Sequence, residues 1–125
     1  MLFPSHDRGR GLISRNARIV VNGVAYWMGE DNFYRYQGGN VEIIPSNTTS
    51  ETTIKKYVFD NLNRANAEKI FCWYNEEFSE IWWHYPSNDE PDRIARYNVK
   101  DGTWTPDTMD RTAAEYPSIL VSSPA

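Results

Sequence analysis

Between residues 71 and 104, aromatic and apolar residues alternate with polar ones in three successive runs. A cluster of turn-forming residues separates each run from the next. Successive side chains of a β-strand point to opposite faces of a sheet, so each run buries one face and leaves the other to solvent. The pattern predicts an antiparallel meander, with strands at residues 70–74, 79–85, 93–99 and 103–105.

The first part of the chain repeats this design. Asn22-Gly23 is a strong signal for a tight hairpin turn and separates predicted strands at residues 18–21 and 24–28. Turn clusters at residues 29–32 and 38–40 separate two further strands, predicted at residues 33–37 and 41–44. A short edge strand is also predicted within residues 11–17. We therefore predict a second four-stranded unit with tight turns in this part of the chain.

The segment between the two units has a helical pattern. Thr48 and Glu51 have the spacing of a capping box at a helix start. The apolar residues that follow, Ile54, Tyr57, Val58 and Leu62, fall at helical spacing. We predict a linking helix over residues 51–62 that joins two β units and forms no domain of its own.

The two β units align with each other. Trp27 corresponds to Trp83, Tyr36 to Tyr97, and the residues of 41–43 to those of 103–105. A four-stranded meander repeated at about sixty residues is typical of β-propeller blades. A single sandwich or barrel of eight strands is the alternative. A propeller needs about four to eight blades, and this chain supplies two.

The predicted domain organisation follows from these units. Residues 1–10 are expected to form a flexible tail, and residues 11–125 a single all-β domain. Within that domain the blade-like units cover residues 11–46 and 68–106, and a further strand or blade begins within residues 111–121. The aromatic residues predicted to pack between the blades are Trp27, Tyr36, Trp73, Trp83, Tyr97 and Trp104.

Composition narrows the function. The chain has 125 residues and a net charge of −4, which argues against a general nucleic-acid binder. Aromatic residues make up 14% of it, a fraction that suits wide rings packed between sheets. The single cysteine, Cys72, excludes an internal disulfide. The sequence contains no apolar run long enough to span a membrane as a helix.

Few residues suggest catalysis or metal binding. The two histidines, His6 and His84, lack partners at metal-ligand spacing, and we predict neither a metal nor a cofactor. The carboxylates of residues 76–80 suggest a glycosidase only weakly, because they crowd a hairpin tip. The clearest basic bias consists of Arg8, Arg10, Arg15 and Arg18, a candidate contact site for DNA phosphates or an acidic partner.

Seven short sequence blocks resemble a family of bacteriophage structural proteins. These are the β-propeller proteins of the tail and head-closure apparatus of short-tailed phages, also called packaged-DNA stabilisation, tail-hub or tail-nozzle proteins. The similarity extends over roughly residues 11–116. Its blocks are NGVAYWMG from Asn22, FYRYQG from Phe33, YVFDNLN from Tyr57, EIWWHYPS from Glu80, and RYN from Arg96, which leads to GTW at Gly102 and RTA at Arg111.

The resemblance implies a virion component of propeller fold that has no enzymatic activity. Proteins of this family assemble as rings around the DNA channel beneath the portal and help to retain or conduct the genome. The implied partners are copies of the chain itself and other virion proteins (portal, adaptor or tail), and the implied location is the virion, after synthesis in the host cytoplasm. Family members are much longer, so the chain corresponds to a fragment or a short version.

A second function remains open on the residues themselves. Trp82 and Trp83 are expected on opposite faces of one strand, so that one ring packs in the core and the other is available at the surface. Exposed tryptophan and tyrosine rings stack on sugars. The alternative to a virion structural protein is therefore a carbohydrate-binding module.

Overall fold

The computed structural model describes residues 11–45 and 54–108, and in them it shows an all-β fold with one short α-helix. The first sheet contains β1 (Arg18–Val21), β2 (Val24–Met28), β3 (Phe33–Gln37) and β4 (Asn40–Ile43). The second sheet contains β5 (Phe71–Asn75), β6 (Glu80–Pro86), β7 (Pro91–Asn98) and β8 (Thr103–Thr108). Each is an antiparallel meander in which the strands follow their order along the chain. The prediction of an all-β chain with two four-stranded meanders is therefore confirmed.

Tight turns set the register of the first sheet. Asn22 and Gly23 have φ angles of 52° and 81°, the left-handed conformation that a two-residue turn between twisted strands requires. The turn pairs Val21 with Val24, and from there the register continues to Arg18 opposite Trp27. The Asn-Gly sequence thus determines which residues of β1 and β2 share a face.

The helical connection differs from the prediction in one respect. The α-helix α1 covers Ile54–Asn61, and residues 51–53 of the predicted helix lie outside the described part. A 3₁₀ segment follows at Arg64–Lys69, which was not predicted. Asn63 precedes it as the N-cap, and the Asn63 side chain accepts a hydrogen bond from the Ala65 amide at 3.1 Å. The apolar spacing continues only to Leu62, so the sequence carried no periodic signal for this segment.

Two strand predictions need correction. The segment at residues 11–17 forms only an isolated bridge, between Leu12 and Gly29. Strand β8 continues through Pro106 to Thr108, where the prediction ended it at the proline. Within its sheet β8 pairs only with β7, and a strand with one free side tolerates a residue that cannot donate a hydrogen bond. The predicted tail at residues 1–10 and the further strands at 111–121 lie outside the described residues.

One hydrophobic core lies between the two sheets. Side chains from facing sides of both sheets form it, together with Ile54 and Val58 of α1, and with Ala17 and Ile70. The sheets approach each other directly at their first strands, since β1 contacts β5, whereas α1 lies against β8. The helix therefore joins the two sheets in sequence and also adds to the core between them.

Candidate functional site

The contact between the two sheets is built from aromatic rings. Phe33 of the first sheet lies 4.9 Å from the Trp83 ring and 4.7 Å from the Trp104 ring, measured between centroids. Tyr26 and Tyr97 meet across the same contact at 6.1 Å. Such tilted ring pairs add a favourable term beyond the area that they bury. This contact holds the described part of the chain together.

Trp83 also carries a polar link across the core. Its indole Nε1 donates a hydrogen bond to the Ala17 carbonyl oxygen at 2.9 Å, and both residues are fully buried. The same oxygen also accepts a hydrogen bond from the Met28 amide at 3.0 Å, so the indole supplies its second hydrogen bond and finds a buried partner for its own N–H group. Trp83 thus combines a large apolar surface with a specific hydrogen bond.

The strand pairings correct the sequence alignment at its last strand. Tyr36 pairs with Val41 in the first sheet, and Tyr97 pairs with Trp104 in the second. The residue equivalent to Trp104 is therefore Val41 and not its neighbour Glu42. The turn before β8 is longer than the Gly38-Gly39 turn before β4, and the difference shifts the alignment by one residue, which exchanges the two faces of a strand.

With this correction, two complete rungs of paired residues match between the sheets. One rung of the first sheet contains Arg18, Trp27, Tyr34 and Ile43, and its equivalent contains Cys72, Trp83, Ala95 and Pro106. The other contains Val20, Ala25, Tyr36 and Val41, and its equivalent contains Tyr74, Ile81, Tyr97 and Trp104. Residues paired across antiparallel strands share a face, so each rung defines one side of its sheet.

The equivalent faces of the two sheets point in the same direction along the stack. In the second sheet, Trp83, Tyr97 and Trp104 face the first sheet and form the core. In the first sheet, Trp27 belongs to a separate cluster on the far side. The side of the first sheet that packs against the second is the opposite one, with Tyr26 and Phe33. The two sheets therefore stack head to tail, like two wedges with the same orientation.

The outer face of the first sheet, defined by the two rungs that contain Trp27 and Tyr36, is partly covered. Trp27 and Tyr34 are buried, with ring centroids 6.0 Å apart, and Leu12 packs against them. Val20 and Ile43 on the same face are each 53% exposed. The centre of this face is closed, and its rims present apolar surface to solvent.

The outer face of the second sheet is defined by Phe71, Trp73, Trp82, His84 and Arg96. The Trp73 Nε1 donates to His84 Nε2 at 2.9 Å, and the Phe71 ring stacks on the imidazole at 4.5 Å. The Arg96 guanidinium lies over the Trp82 ring at 5.3 Å. Burial lowers the pKa of His84 to about 4, so its imidazole is neutral and accepts the indole hydrogen bond at neutral pH.

The structure places the six predicted packing residues in three locations. Trp83, Tyr97 and Trp104 lie in the core between the sheets. Trp27 and Tyr36 lie together on the outer face of the first sheet, and Trp73 lies on the outer face of the second. Phe33 was absent from the predicted set although three rings surround it (those of Phe59, Trp83 and Trp104). Its position at the start of β3 placed it beside a turn, where the alternation is least informative.

Two of the four predicted arginines border a cleft. Arg15 and Arg18 line a cleft of about 500 Å³ together with Asn16, Phe71 and Cys72, beside the place where β1 meets β5. Arg8 and Arg10 lie outside the described residues. Burial raises the pKa of the Cys72 thiol to about 12, so the charge along this cleft comes from the guanidinium groups.

The loop between β6 and β7 is held against the 3₁₀ segment. Asn63 and Asn66 each donate from the side-chain amide to the Asn88 carbonyl oxygen, at 2.6 and 3.0 Å. Lys69 donates to the Asp89 carbonyl oxygen at 2.7 Å and pairs with Glu90 at 2.8 Å. The loop therefore has a defined conformation, set by side chains of the preceding helical segment.

Two further candidate sites concern residues 11–45 and 54–108: a metal site and the carboxylates of the hairpin at residues 76–80. No group of three or more His, Cys, Asp or Glu side chains in these ranges is arranged to hold a metal ion. Glu80, the carboxylate of the hairpin cluster that lies in a strand, accepts a hydrogen bond from Trp82 Nε1 at 3.0 Å. No helix within these ranges is long and apolar enough to cross a membrane.

Comparison with known proteins adds no identification. No protein-family model matches the chain, and no curated protein matches it.

Proposed function

We propose that this chain is a non-enzymatic structural protein of a bacteriophage virion, in the tail or head-closure apparatus. Two lines of support lead to this proposal: the sequence resemblance over roughly residues 11–116, and the head-to-tail stacking of two equivalent sheets. The stacking is the single observation on which the proposal depends most. Sheets that stack with the same orientation leave one face at each end for a further sheet, which is how propeller blades are arranged.

The proposed mechanism is geometric. Rigid sheets present edges and outer faces to neighbouring copies and to other virion proteins, and the aromatic core between the sheets keeps those faces at a set angle. The β6–β7 loop, held by Asn63 and Lys69, is a fixed projection of the kind that a neighbour contacts. No bond in a substrate is made or broken in this role.

Contact with DNA is a further part of the proposal. Arg15 and Arg18 lie beside β1 and β5, the strands at which the two sheets meet. In a ring of such wedges, the converging strands face the central axis, and cations there meet phosphates without reading sequence. Removal of these two side chains is therefore expected to weaken binding to DNA of any sequence, and the loss is expected to be larger at low salt.

Peptide mass spectrometry of purified virus particles tests the virion assignment. Particles are isolated on a density gradient from a lysate of cells that carry this coding sequence, and we expect peptides of the chain to co-sediment with them. A preparation in which the chain stays at the top of the gradient, while the other virion proteins sediment, would contradict the proposal.

A glycan panel tests the alternative of a carbohydrate-binding module. Among the described residues, no tryptophan or tyrosine side chain is among the exposed large apolar ones, which are Val20, Ile43 and Phe78. Sugar platforms need open aromatic rings, so this distribution favours the structural role. We expect no saturable quenching of tryptophan fluorescence by any glycan, and saturable quenching would favour the alternative.

A further inference from the structure

The cleft beside β1 and β5 combines positive charge with an aromatic residue. Two arginines, an amide, an aromatic residue and a thiol line it, namely Arg15, Asn16, Arg18, Phe71 and Cys72. None of these five residues carries a carboxylate, so the charge of the lining is positive. A ligand that matches this lining is an anion that also carries a flat apolar group.

The two strands beside the cleft lie at the edges of their sheets. Within the first sheet β1 pairs only with β2, and within the second sheet β5 pairs only with β6. An edge strand presents backbone N–H and C=O groups that its own sheet does not pair. Polar groups of a ligand in the cleft therefore lie near main-chain donors and acceptors as well as near the arginines.

The aromatic residue of the cleft is held in place. The Phe71 ring stacks on the His84 imidazole, with 4.5 Å between the centroids and 6° between the planes. His84 is itself fixed by the hydrogen bond from Trp73. Phe71 is only half-buried, so part of its surface remains accessible. A ring that is already ordered loses little conformational freedom when a ligand packs against it.

The size of the cleft restricts what enters it. Its volume of about 500 Å³ is that of a small-molecule site and suits a single nucleotide. The bases of a duplex are stacked and paired, so a duplex offers such a cleft only its sugar-phosphate backbone. A base reaches an aromatic side chain when the strand is unpaired.

We propose that the cleft binds one unpaired nucleotide of a DNA strand, with the phosphate at Arg15 and Arg18 and the base against Phe71. The inference rests on the DNA contact of the proposed function and deepens it, because it names single-stranded DNA as the form that binds. Positive and aromatic side chains in one groove bind single strands with little dependence on sequence.

Fluorescence anisotropy with the full chain, at a salt concentration of about 0.15 M, tests the site. Three labelled DNAs are compared: an oligothymidylate of about a dozen nucleotides, a duplex of the same length, and a fully abasic strand of the same length. We expect the oligothymidylate to bind about tenfold more tightly than the abasic strand, and more tightly than the duplex, because only the oligothymidylate supplies unpaired bases.

Two variants test the phosphate contact. Arg15→Ala should weaken the binding of all three DNAs and reduce the slope of log Kd against log salt concentration by roughly one unit. Lys100→Ala is the matched control, because it removes the same charge from an exposed turn position outside the cleft. The salt dependence of this control should equal that of the parent.

Two further variants test the base contact. Phe71→Leu retains an apolar side chain but removes the ring, so the affinity for oligothymidylate should fall to that for the abasic strand. Phe78→Leu makes the same change at a ring that is 55% exposed in the β5–β6 turn, and binding should be unchanged. Circular dichroism verifies the fold of each variant, and the abasic strand makes the same comparison with the unaltered chain.

The outcomes separate this inference from the proposed function. Equal affinity for the oligothymidylate and the abasic strand overturns the nucleotide site, and so does an equal loss in Phe71→Leu and Phe78→Leu. A chain that binds none of the three DNAs overturns the site and the DNA contact together, but it leaves the chain in virus particles. Conversely, a chain that binds single strands as expected but is missing from purified particles overturns the virion assignment and leaves the site intact.

Discussion

Trp73 donates a hydrogen bond to the imidazole of His84 across the β5–β6 pair, with 2.9 Å between Nε1 and Nε2. The bond requires a neutral imidazole whose proton is on Nδ1, because only an unprotonated ring nitrogen accepts. His84 is 1% exposed, and the Phe71 ring stacks on it. Protonation of His84 therefore breaks the bond to Trp73 and places a charge in a buried aromatic group.

We expect the stability of the chain to fall as the pH drops from 6.5 to about 4. Burial lowers the pKa of His84 in the folded state from 6.5 to about 4, so within this window the unfolded chain binds a proton that the folded chain does not. The contribution is complete above pH 6.5 and amounts to roughly 3 kcal/mol at most, from about 1.4 kcal/mol per pH unit.

Urea unfolding at a series of pH values measures this effect. The control is His84→Gln, which offers an amide oxygen to the indole and does not titrate. The free energy of unfolding of this variant should depend less on pH between 6.5 and 4 than that of the parent. Identical pH profiles for the two proteins would contradict the role given to His84.

Trp83→Ala is expected to cost about 3–5 kcal/mol of unfolding free energy, as large-to-small core substitutions do. The ring is fully buried against Phe33 and Trp104, and the substitution also removes one of the two hydrogen bonds that the Ala17 carbonyl oxygen accepts, since the bond from the Met28 amide remains. Trp83→Phe retains much of the packing but loses the hydrogen bond, so it should lie between the parent and the alanine variant.

Chemical denaturation of the parent, Trp83→Ala and Trp83→Phe, with Phe78→Ala as the control, tests this prediction. Phe78 is 55% exposed, and its truncation should change the free energy of unfolding by less than about 0.5 kcal/mol. If Trp83→Ala unfolds at the same urea concentration as Phe78→Ala, the aromatic contact between the sheets is not what holds the described fold together.

The strands of both sheets could be predicted from the sequence because alternation and turn residues are local signals. Asn22-Gly23 determines one turn by its backbone preference alone. Which face of each strand meets the other sheet could not be predicted in this way. Trp27 and Trp83 occupy equivalent positions, and yet one lies on an outer face and the other in the core. The difference comes from the stacking direction, which no single strand encodes.

The same reasoning explains why the predicted packing set was divided. Trp73 and Trp83 are both aromatic residues of the second sheet, but Trp73 pairs with Trp82 and shares its outer face. Alternation within β6 places Trp82 and Trp83 on opposite faces of the sheet. Nothing in the sequence indicates which of the two rings faces the core. The sequence singled out Arg15 and Arg18 only as part of a basic bias. The cleft that they line could not be predicted, because it forms where segments that are distant in the sequence meet.

Asn63→Ala should loosen the β6–β7 loop, which Asn66 and Lys69 also bind. The substitution removes the side-chain bond to the Asn88 carbonyl oxygen and the acceptor for the Ala65 amide at the start of the 3₁₀ segment. We expect a loss of about 1–2 kcal/mol, in the range of a lost helix cap. Hydrogen exchange measured by mass spectrometry should show faster exchange in peptides that cover residues 64–69 and 87–92.

Lys56→Ala is the control for this substitution. It also removes one side-chain hydrogen bond, to Asp60 at 2.8 Å, but both partners are exposed on the surface of α1. Exposed pairs of this kind contribute little to stability, so exchange in the loop should be unaffected. Unchanged exchange in the Asn63→Ala protein would show that the Asn63 side chain does not hold the loop, whose bonds from Asn66 and Lys69 remain in this variant.

The Cys72 thiol should react slowly although it lines the cleft beside Arg15 and Arg18. The thiolate is the reactive form, and burial raises the pKa of Cys72 to about 12. An unperturbed cysteine has a pKa of about 8.5, so at pH 8 we expect reaction with a disulfide reagent to be at least about a hundredfold slower than for a free cysteine.

The pH dependence of this reaction distinguishes a raised pKa from blocked access. If the small fraction of thiolate limits the reaction, the reaction rate rises about tenfold per pH unit between pH 8 and 10, since the thiol is the dominant form throughout this range. The chain unfolded in urea supplies the control and should react like a free cysteine, because nothing then buries the thiol. Rapid reaction of the folded chain at pH 8 would mean that the inner face of β5 opens to solvent, and the packing of Cys72 opposite Trp83 would not survive that result.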